Sequence, residues 1–147
     1  MCRSKALGFT LLELMIVVSV FGLVTAMSFP TISRLITHSR VNQAAMVVAN
    51  DVSQAVSAAA RQRKPIRIAR GVDKKSITVS DRASGTVLST RALGPGDAYQ
   101  LDSVAFSVSP VDLFPNGFTS SALTVSLWAG GYSRRVTMSR TGWVRAP

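Results

Sequence analysis

The chain has 147 residues, 47% of them apolar, and its 17 Lys and Arg against seven Asp and Glu give a formal charge of +10. That length holds one domain of ordinary size, or a smaller domain with an appendage, which excludes a large multidomain enzyme. A single cysteine, Cys2, and a single histidine, His38, exclude a disulfide framework, a Cys/His metal cluster and a Cys-His dyad within the chain, so no metal or other cofactor is expected.

Strong charge and strong hydropathy in one chain imply that the two are segregated, and the first predicted element holds the hydropathy. From Leu14 to Ser33, 20 consecutive residues carry no Asp, Glu, Lys or Arg. At 1.5 Å per helical residue they span about 30 Å, the thickness of a bilayer core. Arg3 and Lys5 precede the run, so the positive-inside bias keeps the first residues cytoplasmic and sends the bulk of the chain across. A secretory signal peptide is the rival, but its apolar region is shorter and ends in a small-residue cleavage site, and no clean A-x-A pattern stands before Pro30.

Glu13, at the edge of the apolar run, needs a partner, because an acid deep in a bilayer costs roughly 2.5 to 3.5 kcal/mol on insertion scales. The residues around it read Gly8-Phe9-Thr10-Leu11-Leu12-Glu13. This stretch resembles the leader of type IV pilin-like proteins, in which a prepilin peptidase cuts after the glycine and the new terminal amine is methylated. The resemblance implies a leader over 1–8, cleavage after Gly8, and Phe9 as the first mature residue. Glu13 is then the acid that meets the Phe9 ammonium of its own or a neighbouring subunit during assembly, since positions four apart share a helical face. Snorkelling at the membrane interface is the plainer reading of Glu13. Cys2 leaves with the leader, and the mature chain has no cysteine.

The first half of the helix, 9–36, is expected in the membrane, with Gly22 as a weak point and Pro30 as a kink or local break. Over 37–64 the stripe Val41, Ala45, Val48, Val52, Val56, Ala59 recurs at the helical period, an amphipathic half with small residues suited to packing on a sheet. Asn42, Gln43, Asp51 and Gln54 occupy its polar faces, and His38 is expected at a surface or interface. Arg61-Gln62-Arg63-Lys64 and then Pro65 end it.

From 65 to 147 the period changes to two. Ile66/Ile68, Ile77/Val79, Val104/Phe106/Val108, Leu123/Val125/Leu127 and Val136/Met138 alternate with polar or small residues, and glycines punctuate them. Gly130-Gly131 marks the clearest hairpin. Val87–Leu101, broken by Gly94-Pro95-Gly96, is expected to be a loop. The fold class is α+β: a long helix packed on a small antiparallel β-sheet head.

The C-terminal part, with Phe114-Pro115-Asn116-Gly117 before a Leu-Thr-Val-Ser-Leu strand and a closing Arg134 to Arg145 segment, is similar to the GspH/FimT family of minor pilins and pseudopilins. That resemblance implies a structural and assembly subunit of a type IV pilus or type II secretion pseudopilus. Its partners would be prepilin peptidase, other pilins or pseudopilins and the bacterial inner membrane, with a single pass and a periplasmic head. FimT-type members end in Gly-Arg-x-Arg and bind DNA during uptake in natural transformation. The matching stretch here is Gly142-Trp143-Val144-Arg145, with Trp143 in place of the first arginine.

Independently, Leu113–Pro147 holds four arginines and no acid, interleaved with Trp128, Tyr132 and Trp143, a mixture suited to phosphate contact and base stacking. Arg135, Arg140, Trp143 and Arg145 are the candidate DNA contacts. Alternation puts Arg135 on the face opposite Val136 and Met138 and leaves Arg134 partly covered. The plainer reading is a solvated cationic surface facing lipid or a partner pilin. Catalysis is not expected, because the abundant serines have no well-placed activating base.

Overall fold

A computed structural model describes residues 9–146 of the chain. The leader, with Gly8, therefore lies outside the described residues. One helix, α1 (Leu11–Gln62), is followed by eight strands. Two compact units divide the chain, one ending at Leu35 and the other beginning at Ile36.

Thr10 caps the start of α1, its Oγ1 accepting the Glu13 N–H at 3.2 Å, and Glu13 supplies negative charge to the first turn. Up to Leu35 the described side chains are exposed: Leu12 is 69% and Phe21 73% accessible. Two hydroxyls in this stretch are satisfied within the helix, Ser19 and Thr25 donating at 2.8 Å to the carbonyls of Met15 and Phe21. Helical structure runs through Pro30 without a break, so the expected local melting does not occur. Upstream and downstream turns keep their own hydrogen bonds when one donor is lost.

In the second unit α1 buries Val41, Ala44, Ala45, Val48, Ala49, Val52, Ala55 and Ala59, a stripe wider than the anticipated one, with Val56 at its border. The helix ends as Arg63 turns into the left-handed region, at φ 53°, ahead of Pro65.

The strands are β1 (Ile66–Arg70), β2 (Ser76–Asp81), β3 (Val87–Ala92), β4 (Ser103–Phe106), β5 (Val111–Leu113), β6 (Leu123–Ala129), β7 (Tyr132–Met138) and β8 (Val144–Arg145). They form two antiparallel sheets of four strands, β3-β2-β1-β5 and β4-β6-β7-β8. Ile66, Ile68, Ile77 and Val111 of the first and Val104, Leu123, Val125, Leu127, Val136 and Met138 of the second share one core with the helix stripe.

The β6–β7 connection is the two-residue Gly130-Gly131 turn, with φ of 53° and 80° and Ala129 opposite Tyr132, the primed geometry that suits a twisted hairpin. The expected loop over Val87–Leu101 is in its first part a strand. β3 pairs with β2, Thr78 opposite Thr90. As an edge strand it leaves Val87 and Leu88 exposed, so no alternation marks it. Only the remainder, closed by the Leu101 N–H on the Leu93 carbonyl at 3.0 Å, is irregular, and both leucines plug the core. Val108, expected in a strand, lies beyond β4 and is exposed.

Candidate functional site

The two groups of candidate residues lie on different units. In the first, Phe9 and Thr10 precede α1 and Glu13 stands in its opening turn, exposed. Because the helix begins at Leu11, Phe9 and Glu13 are not two helical positions on one face. Thr10-Leu11-Leu12-Glu13 has the spacing of a capping box, and its threonine half is present, Thr10 Oγ1 accepting the Glu13 backbone N–H; the threonine three residues before the acid was the signal for it.

In the second unit the β6–β7–β8 register brings together an outward face that strand parity alone only half described. Ser126 is opposite Arg135, Thr137 opposite Arg145, and Trp128 opposite Ser133. Arg135, Thr137 and Arg145 are exposed, whereas Val136 and Met138 turn into the core. Arg145 therefore stands diagonally across from Arg135, with Trp128, 38% exposed, on the same face among small hydroxyl side chains. Arg140 is exposed in the β7–β8 turn, and Trp143, 74% exposed, follows it; the indole is not a core residue. That turn is fixed by Gly142, at φ 72°, where a Cβ would lie 2.7 Å from the Gly117 carbonyl oxygen.

Arg134 does not join this face. Its Nε donates to Asn42 Oδ1 at 2.8 Å and its guanidinium lies 5.3 Å over the Tyr132 ring. Tyr132 is also turned inward, stacked on His38 at 3.9 Å.

The electrostatics of the head follow from where its carboxylates go. Asp51 takes a bidentate Arg91 at 2.8 and 3.0 Å, bonds that push the guanidinium above its ordinary value. Asp112 takes Arg67 at 2.7 Å and Arg82 at 3.1 Å. The Arg67 hydrogen bonds, helped by the charges of Arg67 and Arg82, hold the Asp112 carboxyl below the usual range against the opposing effect of burial. Asp73 accepts from the Ser76 hydroxyl and the Lys75 N–H, and Asp81 from the N–H groups of Ser84 and Ala83; both carboxyls are lowered by these bonds. Asp97 accepts from the Gly94 N–H and Asp102 from the Gly130 N–H. All six acids beyond Ile36 are thus engaged inside the head, while Arg135, Arg140 and Arg145 pair with no carboxylate among the described residues.

A helix with an exposed apolar start, packed further along on antiparallel sheets, is the pilin fold. The model of the prokaryotic N-terminal methylation motif matches residues 3–29. Among solved structures, the chain is similar to the type IV minor pilin FimU of Pseudomonas aeruginosa, at 22% identity and a TM-score of 0.62 over 75% of this chain and 90% of that one. It is also similar to the minor pseudopilin EpsH from the type 2 secretion system of Vibrio cholerae, at 15% identity and a TM-score of 0.59 over 74% and 96%. No curated protein matches the sequence.

Proposed function

We propose that this chain is a minor pilin or pseudopilin, a structural and assembly subunit of a type IV pilus or type II secretion pseudopilus. The observation that carries the reading is the methylation motif at the start of the same helix whose second half forms the core of a pilin-like head. Prepilin peptidase cleaves after Gly8 and Phe9 is methylated. The exposed apolar helix holds the subunit in the bacterial inner membrane, head in the periplasm, until it packs among other pilins. Glu13, exposed and not set across from Phe9 on its own helix, receives the ammonium of a neighbouring subunit. Mass spectrometry of the membrane-extracted protein tests processing: a chain beginning at methylated Phe9 is expected, and one beginning at Met1 overturns the reading. Glu13→Ala is expected to remain membrane-inserted and to be lost from sheared filaments; normal recovery would leave Glu13 without an assembly role.

The face of Arg135 and Arg145 beside Trp128 favours a second reading, DNA binding by the head, with Arg140 and Trp143 at its margin. Phosphate contacts by Arg135, Arg140 and Arg145 imply a slope of roughly −2.7 in log affinity against log salt, at about 0.9 per contact. Binding that does not change with salt at low ionic strength would exclude this reading and leave the filament role.

A further inference from the structure

The two edges of the first sheet are finished differently. Beyond β5 the chain closes the edge itself: Leu113 bridges to Thr119, and the N–H groups of Ser120 and Phe114 donate to the carbonyls of Asp112 and Phe118, both at 2.9 Å. Beyond β3, among the described residues, no strand is paired. The Leu93 N–H donates to the Lys75 carbonyl, and Ala92 opposite Ser76 and Arg91 opposite Ile77 continue that register. Counting back in twos from Leu93, Arg91 and Ser89 turn their N–H groups and carbonyls toward β2. Thr90 and Ala92, both exposed, therefore turn theirs away from the sheet. The register shifts between Val79 and Ser80, opposite Leu88, so the regular part of the edge is residues 89–92. Open edges are ordinarily guarded by a proline or an unpaired charge. This one holds no proline, and its single charge, Arg91, is neutralised by Asp51 of the helix.

Between this strand and α1 lies a groove of about 340 Å³. Buried Ala55, Ile66 and Val79 floor it, half-buried Ala58 and exposed Leu88 border it, and Arg61 stands exposed in its lining. Asp51 also lines the groove but is taken by Arg91, and Arg61 pairs with no carboxylate among the described residues. A strand laid along β3 turns alternate side chains over this groove. The apolar floor and the free cation match a sequence in which apolar side chains and one carboxylate alternate with polar residues. A second copy of the chain does not offer one. Its β3 contains no acid, and the six acids beyond Ile36 are each held inside their own head.

We propose that the open edge of β3 takes up an extended strand from a different protein, its apolar side chains entering the groove over Ala55 and Ala58 and its carboxylate meeting Arg61. The docking is defined within the head and does not rest on the processing or the filament role proposed above.

The test uses the full chain in detergent micelles and, as probe, the end-blocked peptide Thr-Val-Thr-Leu-Thr-Glu-Thr, with amide hydrogen exchange read residue by residue. In the chain alone Thr90 and Ala92 are expected to exchange freely, and an excess of the peptide is expected to slow both. The same peptide N-methylated at every amide has no donor for the Thr90 and Ala92 carbonyls and should leave them unchanged. With Gln in place of Glu the peptide should bind about threefold more weakly, and Arg61→Gln should make the two peptides bind alike. Ala58→Phe fills the groove and should abolish binding, with the β6–β7 amides reporting that the head remains folded. Unchanged exchange at Thr90 and Ala92, or equal slowing by the methylated peptide, overturns strand addition. Equal binding of the Glu and Gln peptides to the native chain, or a difference that survives Arg61→Gln, overturns the ion pair, and binding that survives Ala58→Phe in a folded head overturns the groove. Slowing that appears without peptide as the chain is concentrated shows a second copy on the edge and overturns the proposed partner.

Discussion

Valine meets opposite fates along α1. Val17 and Val20 are 57% and 53% exposed, whereas Val41 and Val48 are fully buried. The stretch before Leu35 carries its apolar side chains all round, and the stretch after Ile36 gathers most of them, Met46 apart, into one stripe that its own strands cover. Hydrophobicity all round a helix is the mark of an environment supplied from outside the chain, a bilayer or neighbouring helices; a stripe is the mark of an internal core. One continuous helix thus serves two solvents.

Substitution can separate the two halves. The largest effect is expected from Val48→Asp, which buries an unpaired charge in the stripe and should lower the stability of the head by about 3 to 5 kcal/mol, measured by chemical denaturation. Val17→Asp should leave that denaturation midpoint in place and instead reduce membrane insertion, read by carbonate extraction; a shared loss of head stability would break the contrast. Next, Gly142→Ala forces a Cβ toward the Gly117 carbonyl oxygen at a positive φ and should cost roughly 1 to 3 kcal/mol. It should be visible as a lowered thermal midpoint, since Val56 of the helix lies beside the same turn.

A smaller effect is expected from acid. Asp112 is lowered in the folded head, so its contribution to stability is complete above the unfolded carboxylate value near 4 and is lost as pH falls through the folded value. The thermal midpoint should therefore fall on acidification below about pH 4, and Asp112→Asn should flatten that decline. Least of all, Arg145→Ala should change stability by less than about 0.5 kcal/mol. If the outward face binds DNA, the same change should reduce the salt slope by about one unit.

What the sequence disclosed follows the same division. The apolar run, the small-residue stripe, the glycine hairpin and the exposure of Arg135 are written in local spacing, and each is present in the structure. β3 escaped because an edge strand has no buried face to impose alternation, and Arg91 within it is held by Asp51, 40 residues away. β5 and β8, of three and two residues, are too short to show a period. The pairing of Arg145 with Thr137, which assembles the cationic face, is a matter of register between strands and not of either strand's composition. Asp112 likewise became a partner for Arg67 and Arg82 only once β5 lay beside β1.

The order in which the chain visits its sheets bears on how the head comes into being. After β1, β2 and β3 it crosses to lay down β4, returns with β5 to complete the first sheet, and crosses again for β6, β7 and β8. Neither sheet is a contiguous stretch of sequence: the first closes only with β5, after β4 of the second has been laid down, and the second gains its other three strands only after that. A head that crosses a membrane residue by residue, as proposed above, would keep its second sheet open through most of that passage. Its edges and unpaired backbone stay available to chaperones and proteases there until β6 and β7 arrive to lock both layers against the helix.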